Sequence, residues 1–413
     1  MGFLSFTLGS FPAALATGRF FKYTAVYDLK SIPKGDIPLI YLDNAATTRP
    51  CPEAVEAMRL ALTENWGNPS ATHGPGREAR QLLEESRKYV LNALKAKNGT
   101  LIFTSGGTEA DNQALKCAAR QARHRGRHII SSEAEHEAVL NSLRDLAAEG
   151  WEVTLLKPDE AGRIPLEAVA EALREDTVLV SLMLVNNETG AVNDLAGVRE
   201  LMRQKGSAAL LHTDAVQAFT KLPLIPDRLG ADMISLSGHK IGGPKGIGAL
   251  WLRQGLKLPP LLHGGGQEGN LRSGTEAMPA IAGFGAAAKA AAGRDAVASA
   301  EKYASLRRLL AESLPEAALI GGLDGPCAGH ICCVSFPGCR AEVLQNWLDS
   351  RGVCVSRGSA CAKGRRSHVL EAMGLPPPTI DGALRVSFSP ETTEEEVAEF
   401  CRLALEAKAR FFR

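Results

Sequence analysis

Short apolar runs recur between residues 100 and 253, and most are separated by segments whose apolar positions repeat at helical spacing. The runs are Thr100–Ser105, Arg127–Ser132, Glu152–Lys157, Thr177–Val185, Ala209–Ala215, Asp232–Ser237 and Gly246–Arg253. Strand and helix patterns in alternation predict βαβ units, hence an α/β fold with a mostly parallel seven-stranded sheet covered on both faces. Upstream, residues 38–50 read as a short strand entering a turn. Pro52 suits the first position of a helix over 52–65. A loop over 66–76 and a charged helix over 77–94 follow. Downstream, the Ala-rich stretch 284–296 predicts the start of a long helix leading to a second, α+β unit. That unit carries strands near 330–336, 352–356 and 383–389, with a final helix opened by the capping-box pattern Thr393 to Glu396. The boundaries expected are an extension of unknown role over 1–36, a segment 37–49 packing with the smaller domain, a large domain 50–290 and a small domain 291–413.

The chain has 413 residues, enough for two or three cores, and its 45% hydrophobic and 23% charged content is that of a soluble globular protein. A formal net charge of +1 argues against a nucleic-acid or anionic-membrane partner. No apolar run approaches the roughly 20 residues of a membrane span. Residues 1–20 are apolar up to Arg19 but lack the positive start of a secretory signal. Nine cysteines, an odd number without C-x-x-C spacing, fit neither a disulfide framework nor a zinc site, so reduced thiols and a cytoplasmic location are expected, and no metal. Most of the cysteines sit in apolar runs as small buried hydrophobes.

Candidate chemistry collects where strands end. Asp214 closes one strand, and Lys240 lies in the glycine-rich turn after another, where open α/β sheets bind ligands. A lysine and a carboxylate so placed are what a pyridoxal phosphate (PLP) enzyme needs, although a lysine in such a turn is equally a solvated one. Ser105-Gly106-Gly107-Thr108-Glu109 follows a strand and opens a helix, which suits one phosphate or a plain tight turn. His136 lies between a strand and a helix, placed either to cover a planar ligand or merely to start the helix. Asn186 and Asn187 end the strongest strand. Cys361 lies among Arg357, Lys363, Arg365 and Arg366 with no acid in the stretch, surroundings that raise the thiolate fraction.

Together these segments resemble cysteine desulfurases of the NifS/IscS kind, class V members of the PLP-dependent, aspartate aminotransferase-like fold. The resemblance rests on YLDNAATT, GNPSATH, FTSGGTEADN, EHEAVL, VNNETG, HTDAVQ, SGHKIGGPKGIGAL, HGGGQEGNLRSGTE, GSAC and LRVSFS, in family order over roughly nine-tenths of the chain. It implies that Lys240 holds PLP covalently and moves protons. By the same resemblance His136 covers the ring, Asp214 faces its nitrogen and Gln217 its phenolic oxygen. Gly107, Thr108, Ser237 and His239 hold the phosphate, joined by Thr275 of a second subunit in a homodimer. Asn187 and Arg385 take the carboxylate of L-cysteine. Cys361 accepts the sulfur as a persulfide, releasing alanine, for an acceptor protein such as an iron–sulfur scaffold or a sulfur carrier. The chain departs from the family at Arg357, where a small serine is usual, and in a shorter segment after Cys361. Other readings on the same fold are a selenocysteine lyase or a small-amino-acid aminotransferase. A reading from another class is a non-catalytic sulfur-assembly subunit.

Overall fold

The structure, a computed structural model, describes residues 39–322, 326–358 and 366–412. Its strands are β1 (Ile40–Tyr41), β2 (Thr100–Thr104), β3 (His128–Ser132), β4 (Glu152–Leu156), β5 (Thr177–Ser181), β6 (Leu210–Asp214), β7 (Met233–Ser237), β8 (Gly248–Leu252), β9 (Ala318–Ile320), β10 (Ile331–Ser335), β11 (Val353–Cys354) and β12 (Ala383–Ser387). Seven of them form one sheet in the order β2-β8-β7-β6-β5-β3-β4. Only β8 runs against its neighbours. The sheet is thus the mostly parallel one expected from the alternating pattern.

Side-chain alternation divides the strands between two cores. Leu101 and Phe103 face a core shared with Ala54, Leu83, Val90, Ile281 and Phe284 of the helices Pro52–Thr63, Gly74–Ala93 and Met278–Ala292. Ile102 faces the opposite one, with Leu115, Val139 and Leu143 of the helices Gly107–Ala122 and Glu137–Ala148. The antiparallel sheet β12-β10-β9 and the parallel pair β1-β11 belong to another core. There Leu42, Phe336, Leu344, Val386 and Phe400 are fully buried among the helices Ala296–Ser313, Ala341–Asp349 and Glu394–Phe411. The last of these opens with the capping box read from Thr393 and Glu396.

Three boundaries differ from the sequence reading. The expected long helix from the Ala-rich stretch is two helices. Met278–Ala292 ends at Gly293, and Asp295 caps a new one by accepting the N–H groups of Val297 at 2.9 Å and Ala298 at 3.2 Å. The charged helix begins three residues early, at Gly74, with Pro75 in its first turn and His73 as its cap. A Cβ on Gly76 would lie 2.4 Å from the Ala71 carbonyl oxygen, so this helix start requires glycine there. The run Thr177–Val185 leaves the ladder after Ser181. Its end, still buried, turns into the segment Asn186–Gly190.

Candidate active site

The C-terminal ends of β6 and β7 lie side by side, as their register pairs Asp214 with Ser235. Asp214 is buried, and its Oδ1 accepts the Val216 N–H at 2.8 Å. Burial pushes its carboxyl above the usual range, while His136 and Lys240 pull it back. These three groups, far apart in sequence, therefore act on one another. β7 ends at Ser237 and turns through Gly238–Lys240. A Cβ on Gly238 would lie 2.9 Å from Ile247 Cγ2. Lys240 Nζ donates to the carbonyls of Ala45 at 2.5 Å and Ala46 at 2.8 Å. Lys245, five residues on, is exposed. Lys240, by contrast, is half-buried and held by two backbone carbonyls.

Gln217 Nε2 donates to the same Ala45 carbonyl at 2.9 Å, and its Oε1 is buried without a hydrogen-bond partner. His239 Nδ1 lies 3.2 Å from Thr47 Oγ1. Burial, then Lys240, Lys245 and Lys221, push the His239 ring down to about 4, so it is neutral near pH 7. Thr48 donates from N and Oγ1 to the His239 carbonyl, both at 2.9 Å. The segment Asp43–Thr48 thus walls the site, a role that residue types alone did not reveal.

Ser105 N donates to Glu109 Oε2 at 2.8 Å, closing the turn into the helix Gly107–Ala122, and Arg272 Nε donates to Glu109 Oε1 at 2.8 Å. A Cβ on Gly107 would lie 2.8 Å from Val216 Cγ2 and 3.7 Å from Ser237 Cβ. A Cβ on Gly248, at the start of β8, would lie 2.5 Å from the Gly106 carbonyl carbon. Glycines thus let the backbone close tightly round a helix start whose first N–H groups have no carbonyl of their own, a suitable seat for an anion. Gly107, Thr108 and Ser237 come together there. Thr275 is exposed in the glycine-rich segment that Arg272 ties to this turn.

His136 caps the helix Glu137–Ala148, with Nδ1 accepting the Ala138 N–H at 3.1 Å. That bond makes Nδ1 the unprotonated nitrogen and fixes the ring. Of the two adjacent amides, Asn186 is structural: Oδ1 accepts the N–H groups of Glu188 and Thr189, and Nδ2 donates to Ala134 O. Asn187 meets Arg385, whose Nη1 donates to the Asn187 carbonyl at 3.0 Å while Nη2 donates to Asp43 Oδ1 at 2.9 Å. Arg385 Nε is buried without a partner. Asp43 is the residue here that sequence reasoning missed, although it stands in a quoted motif.

Cys361, with Lys363 and Arg365, lies outside the described residues. The flanks of that segment correct one sequence reading. The stretch is free of acids in sequence, but Arg357 lies 3.6 Å from Glu342, and Arg366 donates from Nε and Nη2 to the Asp381 carboxylate at 2.7 and 2.8 Å. Two of the four cations therefore have carboxylate partners brought in by the fold. Buried Glu188 meets both flanks. Ser367 Oγ donates to its Oε2 at 2.5 Å, and a Cβ on Gly358 (φ +77°) would lie 2.8 Å from that oxygen. Of the other cysteines, Cys117, Cys332, Cys333, Cys339 and Cys401 are buried in the core, and Cys51, Cys327 and Cys354 are half-buried. Burial pushes the thiols of Cys117 and Cys332 up to about 11 and that of Cys401 to about 12, and raises Cys333 too. Among the described residues no group of three or more His, Cys, Asp or Glu could hold a metal. No described helix is long and apolar enough to cross a membrane.

The aminotransferase class-V family model matches residues 40–400. A cysteine desulfurase of Cereibacter sphaeroides is 44% identical over 363 residues, which are 87% of this chain and 92% of that one. The cysteine desulfurase IscS of Methanosarcina thermophila is 40% identical over 87% of this chain and 89% of its own. Among solved structures, a NifS-like protein superposes with a TM-score of 0.85 at 36% identity, covering 91% of this chain and all of that one. A structure described as SspA in complex with cysteine gives 0.75 at 33% identity, over 86% of this chain and 99% of that one. The chain therefore belongs to the class-V aminotransferase family, and its function is that of the cysteine desulfurases within it, which are PLP-dependent enzymes.

Proposed function

We propose that the chain holds PLP at the ends of β2, β3, β6 and β7 and removes sulfur from L-cysteine, leaving L-alanine. The carrying observation is the convergence of half-buried Lys240 and His136 on buried Asp214, with Arg385 tied through Asp43 to the segment whose carbonyls Lys240 contacts. The residues fit the cofactor on three counts. The Gly107 turn leaves no room for a side chain, Gln217 Oε1 and Arg385 Nε are buried and unpartnered, and Asp214 is a buried carboxylate of the kind that would pair with a cationic ring nitrogen. When bound, PLP supplies an electron sink for the α-carbon of an amino acid.

Lys240 holds the cofactor and moves the α-proton, and Asp214 keeps the ring nitrogen protonated by its negative charge. His136, fixed through Nδ1, covers the ring, and Gln217 reaches its phenolic oxygen. Gly107, Thr108, Ser237 and His239 bind the phosphate, with Thr275 contributed across a homodimer. Arg385 takes the substrate carboxylate through two parallel hydrogen bonds, with Asn187 beside it. Cys361 accepts the sulfur as a persulfide and passes it to an acceptor protein in the cytoplasm, for iron–sulfur or other sulfur-cofactor assembly. Among the described residues, the large domain runs over 50–290 and the small one from 291 onward, with 39–49 packed on the latter.

Borohydride reduction of the PLP-loaded protein, then peptide mapping, should place the label on Lys240, and incubation with L-cysteine and a thiol reductant, which cleaves the persulfide, should yield alanine and sulfide in step. A label on Lys245, or sulfide without alanine, would refute the assignment.

A further inference from the structure

Beneath Asp214, one face of the large sheet carries a row of fully buried polar side chains across β3, β5, β6 and β7. Ser131 Oγ donates to the Ser181 carbonyl at 2.7 Å, Ser181 Oγ lies 2.8 Å from His212 Nδ1, and His212 Nε2 lies 3.0 Å from Ser235 Oγ. His212 stands two residues before Asp214, so both point to the same face. Asp111, in the second turn of the helix Gly107–Ala122, meets this row. Its Oδ1 is 3.7 Å from His212 Nε2, beyond hydrogen-bonding reach, and has no hydrogen-bond partner although it is buried.

The ionisable groups around Asp111 are His212 and Asp214 from β6 and Glu135 from the loop after β3. Glu135 Oε1 accepts from Ser132 Oγ at 2.8 Å and Met183 N at 2.9 Å, and its Oε2 is buried without a hydrogen-bond partner. No lysine or arginine among the described residues forms an ion pair with Asp111 or Glu135. A buried carboxylate without a cation is costly, and a second one nearby raises that cost, so such a group keeps its proton. His212 offers no charge in compensation, because burial pushes its ring down to about 3. Asp214 differs from Asp111 in having His136 and Lys240 beside it, which favour its ionised form.

We propose that Asp111 is a positioning residue that works in its protonated form, bracing the Ser–His–Ser row under Asp214 as a neutral acid so that Asp214 bears the charge. The electrostatics of the site agree in direction. Burial first, then Asp214, push the Asp111 carboxyl well above its usual range, against a hydrogen bond with Ser235 of the row that favours the charged form, and burial takes Glu135 up to about 8. The inference rests on the assignment of Asp214 to the cofactor nitrogen, but the state of Asp111 can be read without the cofactor.

The test uses the full chain, PLP-free and PLP-loaded. Infrared difference spectra between wild type and Asp111→Asn at neutral pH should show the carbonyl band of a protonated carboxylic acid, present in wild type and lost in the variant. Asp111→Ser supplies the same subtraction if the asparagine variant does not fold. Asp111→Asn keeps an uncharged hydrogen-bonding group of the same shape, whereas Asp111→Leu leaves its neighbours unpaired. PLP affinity and kcat/KM should therefore be about tenfold higher in Asp111→Asn than in Asp111→Leu. Absence of the acid band, or an asparagine variant no better than the leucine one, would overturn the proposal. If the borohydride label fell on a residue other than Lys240, the cofactor assignment would fail, while the band in the PLP-free chain would still report on Asp111.

Discussion

Lys240, Asp214 and Ser237 stand at or just beyond the ends of adjacent strands of the seven-stranded sheet, and their nearest partners are backbone groups of Ala45, Ala46 and Val216. Arg385 is placed differently. It sits in the middle of β12, opposite Cys333 of β10, and belongs to a separate three-stranded sheet. To reach the site it needs Asp43 from the N-terminal segment and the Asn187 carbonyl from the turn after β5. The proposed cofactor end is thus built largely from one sheet, and the proposed carboxylate end from three segments that meet only in the folded chain. A change at the carboxylate end should therefore disturb substrate binding and leave the cofactor in place.

The largest effect that separates the two ends should come from Arg385→Lys. Losing the planar two-bond geometry should raise KM for cysteine about 10- to 100-fold while PLP absorbance is retained. Asp43→Asn, which only loosens Arg385, should give a smaller rise. Steady-state kinetics read against the cofactor spectrum check both, and loss of PLP from Arg385→Lys would show that the ends are not separable.

Glu135 probes the cofactor end through stability. Its folded-state pKa of about 8 lies above the unfolded carboxyl range, so the folded chain holds this proton more tightly. The stability so gained is complete below the unfolded value of about 4.3 and is lost as pH rises through about 8. Glu135→Gln should then melt above wild type at about pH 9, by on the order of a few kcal/mol, with the gap closing toward about pH 5. Calorimetry of the PLP-free chain across that range decides it, and a gap that widens in acid would reverse the argument.

The smallest effect belongs to the flanks of the Cys361 segment. Asp381→Asn should release Arg366 toward the thiol and raise the alkylation rate of Cys361 near neutral pH by about twofold, since exposed pairs are worth about 1 kcal/mol or less. Added salt should erase the gain. A decrease on release would mean that Arg366 does not act on the thiol.

The sheet was legible because each of its strands is an apolar run, and βαβ alternation leaves few arrangements. Lys240, Asp214 and His136 were legible as strand-end residues and from the motifs around them. Asp43 was not, because an aspartate before an asparagine reads as a turn, and its arginine partner lies 342 residues away. The pairing of Arg357 and Arg366 was hidden for the same reason, since Glu342 and Asp381 belong to helices outside the basic stretch. The two-helix break at Gly293 was obscured by alanines, which favour helix on either side of a cap and conceal where one helix ends.

Gly248 has no side chain to take part in chemistry, yet the atom that any other residue would add there falls 2.5 Å from the Gly106 carbonyl carbon and 2.5 Å from the Leu236 carbonyl oxygen. Neither contact can yield by rotating a side chain, because both are backbone. In a library covering every substitution in SGHKIGGPKGIGAL, position 248 should tolerate as little as position 240, but its failures should be of another kind. Lys240 variants should fold and be chemically silent, whereas Gly248 variants should shift the turn before Gly107 and bind phosphate poorly. A survey that scored activity alone would merge the two, and one that also scored cofactor retention would show that part of this motif is a spacing gauge between two strands.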